Sequence, residues 1–178
     1  MEELKSKILK KAAEMYQQFG IKSISMDDVS RALGISKKTL YAVFPNKQTL
    51  VHDAIFFIKY TNRTKWMEFL MESENAIEEM LRVNYVISGF LTAQTPWMDY
   101  DLEKYYPEIF WKLEEENKTA MHKEVIRNIR KGKKEGLFRM DVDEEVIALL
   151  LIARVSGLKQ TIKENTVVKY DKHFNDQV

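Results

Sequence analysis

The chain has 178 residues, of which 45% are hydrophobic and 31% charged, with 6 Gly and 3 Pro. This composition is typical of a globular helical protein with a real apolar core, and it excludes disorder and an all-β fold. The chain has no cysteine, which excludes disulfides and thiolate metal sites and is consistent with a cytoplasmic protein. No apolar run approaches the roughly 18 residues that span a membrane.

The formal net charge of +1 conceals an asymmetry along the chain. Residues 1–50 carry 9 Lys and Arg against 5 Asp and Glu, whereas residues 51–178 carry 19 against 22. The N-terminal segment is therefore basic and the remainder is weakly acidic. An excess of positive charge in one segment is expected of a protein that binds nucleic acid there.

The first predicted element is an amphipathic helix that ends at Gly20. Its apolar residues recur at spacings of three and four: Leu4, Ile8, Ala12, Met15 and Phe19. Gly20 is placed to end this helix in the left-handed conformation. Ser25 and Asp28 then form a capping-box pattern, which predicts the start of a second helix.

The segment after Ser25 predicts two short helices joined by a sharp turn. Gly34 breaks the second helix and Ser36 is placed to cap a third, whose buried side includes Leu40 and Phe44. Pro45 and Asn46 end that helix, and a longer fourth helix follows. Two short helices joined by a glycine-containing turn are the helix-turn-helix pattern.

In this pattern the start of the third helix projects from the surface and can enter a DNA major groove. The outward positions there are Lys37, Lys38, Thr39, Tyr41 and Ala42. Lys47 and the helix N-termini at Ser25 and Ser36 are suited to phosphate oxygens. The alternative is that these lysines are the solvated face of an ordinary helical bundle.

The same segment resembles the DNA-binding domain of the TetR family of bacterial transcriptional regulators. The resemblance covers Lys7 to about Ala54 and depends on Thr39, Leu40, Tyr41, Phe44, Lys47 and Leu50, preceded by the sequence LGIS. It implies that Tyr41 and Lys47 contact phosphates, that Lys38 and Thr39 lie at base edges, and that Ser25 and Met26 present main-chain N–H groups. Val43 and Lys38 depart from the usual family residues, so the operator sequence is not inherited from relatives.

Beyond Ala54 the resemblance weakens, and helical patterns continue over about 56–73, 74–93, 105–134 and 143–164, with breaks near Pro96, Pro107 and Gly136. We therefore predict an all-α fold with two domains. Residues 1–47 form the helix-turn-helix DNA-binding domain, and residues 48–178 form a helical domain for ligand sensing and dimerisation.

An aromatic segment, Trp97 to Trp111, suggests the wall of a pocket for a small-molecule effector, because aromatic rings offer apolar area and polar tips. Ordinary core packing is the alternative reading. The predicted ligand-binding residues are Trp66, Leu70, Tyr85, Phe90, Trp97, Tyr100, Tyr106, Phe110 and Trp111.

A homodimer is expected, because one small helix-turn-helix module makes few contacts and such proteins pair on palindromic DNA. The sequence EEVIALLLIARVSGLKQTI is apolar on more than one face, and its predicted interface residues are Ile147, Leu151, Val155 and Leu158. A fully buried core helix is the alternative. After Asn165 only 13 residues remain, so either the last helix is expected to be short or the chain is abbreviated.

No catalytic, cofactor or metal site is predicted. His52, His122 and His173 are the only histidines and have no spacing that suits metal binding, and no glycine-rich phosphate loop occurs. The prediction is therefore a DNA-binding transcriptional regulator that is not an enzyme and acts as a repressor released from a palindromic operator by a small molecule. The competing prediction is a helical small-molecule-binding protein without a DNA role.

Overall fold

The computed structural model describes residues 2–93 and 96–175, and the side chains of residues 2–87 and 98–162. The helices are α1 (Glu2–Phe19), α2 (Met26–Leu33), α3 (Lys37–Val43), α4 (Lys47–Met71), α5 (Ala76–Ala93), α6 (Pro96–Tyr105), α7 (Pro107–Lys134) and α8 (Glu144–Asn175). No strand occurs in these two ranges. The predicted all-α fold class is confirmed.

The N-terminal helices begin and end where the local sequence predicts. Gly20 has φ 80° and donates its N–H to the carbonyl of Tyr16 at 3.0 Å. The capping box is present at α2, because Asp28 N–H donates to Ser25 Oγ and Ser25 N–H donates to the Asp28 carboxylate. Gly34 ends α2 in the left-handed conformation with φ 65°. These caps satisfy main-chain groups that a helix leaves unpaired at its ends.

Three helix boundaries in the second half of the chain differ from the sequence prediction. α6 is a separate helix and α7 begins at Pro107, because proline has no N–H for an interior helix bond but suits the first turn. The prediction that α8 ends at Glu164 was wrong, since α8 continues without a break to Asn175.

The chain divides into two compact units. The first unit consists of Met1–Trp66 and Trp97–Glu114, and the second of Met67–Pro96 and Glu115–Val178. The core of the first unit is one apolar cluster: Ile8, Ala12, Tyr16, Ile21, Ile24, Met26, Val29, Leu40, Phe44, Leu50, Val51, Ala54, Ile55, Phe56, Leu102 and Ile109. Residues of α6 and of the start of α7 therefore complete the core beneath the helix-turn-helix.

In the second unit an ion-pair network joins α5 to α7. The carboxylate of Glu79 is 3% exposed and bonds to the guanidinium of Arg127 and, at 3.2 Å, to the ammonium of Lys131. Burial raises the pKa of Glu79, but these two cations outweigh burial and hold its pKa below the ordinary value. Asn128 adds a bond from its side-chain amide to the carbonyl of Ala76 at 3.0 Å. The start of α5 is thus fixed to α7 by paired charges.

Candidate nucleic-acid interface

Helix α3 is short, and its orientation is fixed by a cap at one end and by buried side chains on its inner face. Ser36 Oγ accepts the N–H of Thr39 at 3.0 Å, and the hydroxyl groups of Ser36 and Thr39 are 2.8 Å apart. Leu40 is fully buried and Phe44, at the end of the helix, is 2% exposed. A seven-residue helix is unstable alone, so its orientation depends on this packing.

The outer face of α3 presents the side chains predicted to meet DNA. Lys38 and Ala42 are exposed, and Tyr41 is 45% exposed, whereas Thr39 is half-buried beside its cap. Lys37 is exposed too, but its ammonium forms an ion pair with Asp27 of α2. Because that carboxylate offsets its charge, Lys38 is the better-placed cation for a phosphate or a base edge.

The start of α2 offers its main chain rather than its side chains. Ser25 is exposed, but the side chain of Met26 is 6% exposed and belongs to the core. Asp28 accepts hydrogen bonds from the side chain and main chain of Ser25, and these bonds hold the pKa of Asp28 below its ordinary value. The chain's own carboxylate therefore occupies part of this helix N-terminus.

Lys47 begins α4 and reaches the loop between α1 and α2. Its Nζ donates to the carbonyl of Ile21 at 2.7 Å and to the carbonyl of Lys22 at 3.3 Å. Burial lowers its pKa, while the carboxylates of Asp101 and Asp28 favour the charged form. Its predicted phosphate contact stays a prediction, because in this structure the ammonium is held by the chain's own carbonyl oxygens.

Two residues beside this surface were not singled out from the sequence. Lys22 lies in the α1–α2 loop, and its ammonium is 5.2 Å from the centre of the Tyr105 ring. Asp101 of α6 is 8% exposed and accepts the main-chain N–H of Lys22 at 2.7 Å. The two residues are 79 positions apart, so no local pattern connects them.

The predicted ligand-binding residues are distributed over both units. In the first unit, Tyr106 and Phe110 pack against the core. The rings of Phe110 and Trp111 meet edge-on, with their centres 5.2 Å apart. Trp111 is 60% exposed, and Tyr100 is exposed and accepts a hydrogen bond from Lys104 at 2.7 Å.

The remaining predicted ligand-binding residues lie on α4 and α5 or outside the described side chains. Trp66 and Leu70 are half-buried on α4, and Tyr85 on α5 is 76% exposed. Phe90 and Trp97 lie outside the residues whose side chains the structure describes. The structure therefore leaves the pocket a prediction.

Three of the four predicted dimer residues lie on the more protected side of α8. Ile147, Leu151 and Val155 are half-buried, and Leu158 is exposed. Among the side chains of this helix that the structure describes, the most exposed apolar ones are those of Val146, Leu149 and Leu150. Their spacing of three and four residues places them on one face, which is a neighbour of the predicted one.

In the described part of the chain, no three His, Cys, Asp or Glu side chains are grouped so as to hold a metal ion. Nor is any helix there long and apolar enough to cross a membrane.

A capped α2, a left-handed glycine turn and a short α3 with an exposed basic and aromatic face define a helix-turn-helix DNA-binding protein. Residues 8–54 match the model of the bacterial regulatory proteins of the tetR family. This match covers the same segment as the threonine, leucine, tyrosine, phenylalanine and lysine motif described above. The N-terminal segment of the chain is therefore similar to the DNA-binding domain of the TetR family.

Relatives and solved structures agree with this fold. The nucleoid occlusion factor SlmA of Alteromonas mediterranea is 23% identical over 185 residues, which cover 97% of this chain and 91% of that protein. A TetR family regulator from Cytophaga hutchinsonii superposes with a TM-score of 0.69 at 20% identity, over 87% of this chain and 80% of that one. A transcriptional regulator from Saccharomonospora viridis in complex with choline has a TM-score of 0.67 at 21% identity, over 99% and 95%.

Proposed function

We propose that the protein is a homodimeric repressor that binds a palindromic operator and is released from it by a small molecule. DNA binding is the task of residues 1–47, and residues 48–178 sense the effector and form the dimer. The observation that supports this proposal best is the outer face of α3, where Lys38, Tyr41 and Ala42 are exposed on a helix fixed from behind. Such a face has the size and polarity that a major groove admits.

The effector acts by changing the spacing or tilt of the two copies of α3. The two half-sites of an operator lie about 34 Å apart or a multiple of that distance, so a small change in spacing prevents both copies from binding at once. An effector that binds better to the second arrangement shifts the equilibrium toward it, and DNA weakens effector binding by the same factor. The aromatic residues of α6 and α7 support an effector with a large apolar surface.

The dimer forms through α8. Val146, Leu149 and Leu150 are exposed in the single chain, and apolar side chains on one face of a long helix are stabilised by packing against a second copy. The face that Ile147, Leu151 and Val155 share lies beside those three exposed residues and forms the edge of the dimer interface.

DNA binding is tested with a duplex that the wild-type protein selects from a random-sequence pool. A variant carrying Lys38→Ala and Tyr41→Ala is compared with Lys10→Ala, which removes one exposed lysine from α1. We expect the double variant to bind roughly 100-fold more weakly, because base and phosphate contacts are each worth about 1–3 kcal/mol, while the Lys10 variant binds like the wild type. Size-exclusion chromatography checks that the double variant keeps the oligomeric state of the wild type.

The dependence of affinity on salt separates this proposal from a protein that senses a ligand without binding DNA. Affinity for a duplex falls steeply as ionic strength rises when phosphates are neutralised by lysine and arginine. If the wild-type protein selects no duplex and binds none at low salt, the proposal is wrong. To test the effector response, compounds that raise the melting temperature of the protein are added to its complex with the selected duplex, and release of the duplex is measured.

A further inference from the structure

The loop between α1 and α2 is held from outside the helix-turn-helix by a buried carboxylate of α6. Asp101 is 8% exposed, and its Oδ2 accepts the main-chain N–H of Lys22 at 2.7 Å. A carboxylate that is nearly buried is costly unless hydrogen bonds and nearby charges stabilise it. The Lys22 N–H supplies such a bond, so α6 is attached to this loop by a charge-assisted hydrogen bond.

Lys47 holds the carbonyl groups of the same loop. Its ammonium donates to the carbonyls of Ile21 and Lys22 at 2.7 Å and 3.3 Å. The main chain of Lys22 is therefore bonded through its N–H to α6 and through its carbonyl to the start of α4. The carboxylate of Asp101 also favours the charge of Lys47, so the two residues support each other electrostatically.

Apolar packing reinforces this attachment. Ile21 and Ile24 of the loop are buried in the same cluster as Leu102 of α6, which follows Asp101 directly. On the surface the ammonium of Lys22 lies over the ring of Tyr105, and the hydrogen bond and charge of Tyr105 raise the pKa of Lys22. The loop is thus attached to α6 through the main-chain N–H and the ammonium of Lys22, and its buried side chains share a core cluster with Leu102.

The position of this loop sets the start of α2. Ser25, the N-cap of α2, comes three residues after Lys22, and the capping box fixes the first turn directly behind it. A shift of the loop therefore moves the N-terminus of α2, and it releases Lys47 at the N-terminus of α4. Both termini lie among the predicted phosphate contacts of the DNA-binding segment.

We infer that Asp101 is a positioning residue for DNA binding, which acts by holding the Lys22 peptide and Lys47 so that the starts of α2 and α4 meet the phosphate backbone. This inference rests on the proposed function. It assigns to α6 a role in affinity for DNA that the helix-turn-helix motif alone does not contain. Asp101 itself does not touch DNA in this assignment.

The test compares Asp101→Ala and Asp101→Asn with Glu108→Ala, all assayed on the duplex selected by the wild-type protein. Glu108 is an exposed carboxylate in the first turn of α7, so its loss changes the net charge by the same amount as the loss of Asp101. We expect Asp101→Ala to bind about 10-fold or more weakly, because a hydrogen bond to a charged group is lost. Asp101→Asn keeps an acceptor for the Lys22 N–H and recovers most of the affinity, and Glu108→Ala binds like the wild type.

Salt dependence distinguishes positioning from a general loss of stability. Each lost phosphate contact reduces the slope of log affinity against log salt by about 0.9, whereas partial unfolding only lowers the active fraction. The inference is supported if the affinity of Asp101→Ala depends less steeply on salt than that of the wild type and if the Lys22 amide exchanges its hydrogen faster. Should that variant fail to fold, Asp101→Ser replaces it, since the serine hydroxyl is too short to reach the loop.

Two failures have different meanings. If the wild-type protein binds DNA and the Asp101→Ala variant binds it with the same affinity and the same salt dependence, this inference alone is wrong. Wild-type protein that selects no duplex overturns the proposed function and this inference with it.

Discussion

Replacing Gly34 by alanine tests whether the turn between α2 and α3 depends on a left-handed residue. Gly34 has φ +65°, and a Cβ built on it meets no atom within 4 Å, so the substitution causes strain without a clash. The left-handed conformation costs an L-residue about 1–2 kcal/mol. Alanine also lowers the conformational entropy of the unfolded chain, which stabilises the folded protein by about 0.4–1 kcal/mol and offsets part of this cost. We therefore expect the free energy of unfolding to fall by about 1 kcal/mol.

Urea unfolding followed by circular dichroism measures this difference, and Gly34→Asn is the matched control. Asparagine adopts the left-handed conformation more readily than alanine, so it lowers stability less. For a chain of this length, about 1 kcal/mol corresponds to a melting temperature lower by about 2–4 °C. Operator affinity should fall in the alanine variant and recover in the asparagine variant, because the turn sets the direction of α3. A Gly34→Ala variant as stable as the wild type would refute this reasoning.

Three further outcomes are expected. Gly132→Ala should destabilise the protein by about 1–2 kcal/mol in urea unfolding, although alanine favours helices, because its Cβ would overlap the ring of Phe138. A variant as stable as the wild type, or more stable, would contradict this clash. Glu79→Gln weakens the pairing with Arg127 and lowers stability at pH 7 by about 2 kcal/mol. The pKa of Glu79 in the folded protein lies below its ordinary value of 4.5, so the carboxylate contributes fully to the free energy of unfolding above pH 4.5. That contribution is lost as the pH falls through the folded pKa. A stability difference between wild type and Glu79→Gln that persists at low pH would contradict this assignment. Leu149→Glu should give a monomer by light scattering if α8 forms the dimer, and an unchanged mass excludes that interface.

The ends of the N-terminal helices could be predicted because their signals are local. Ser25 and Asp28 are three residues apart and bond to each other, and Gly34 adopts the conformation that its missing side chain permits. These interactions depend on neighbours in the chain, so reading the sequence was sufficient to find them. The family motif in residues 8–54 has the same local character.

Predictions that depended on burial were less complete. Two neighbouring faces of α8 are apolar. One carries Ile147, Leu151 and Val155, and the other carries the more exposed Val146, Leu149 and Leu150. Since nine of the ten residues from 146 to 155 are apolar, the periodicity there does not say which face the rest of the protein covers.

The sequence by itself determined the all-α class, the helix-turn-helix and the similarity of residues 8–54 to the TetR family, because caps, turns and motifs act over a few residues. Only the tertiary structure decided which cations remain available and what holds the recognition surface in place. Lys37 is paired with Asp27, Lys47 is bonded to the α1–α2 loop, and Asp101 reaches Lys22 across 79 residues. Such contacts arise when packing brings distant segments together, and no pattern of spacing along the chain encodes them.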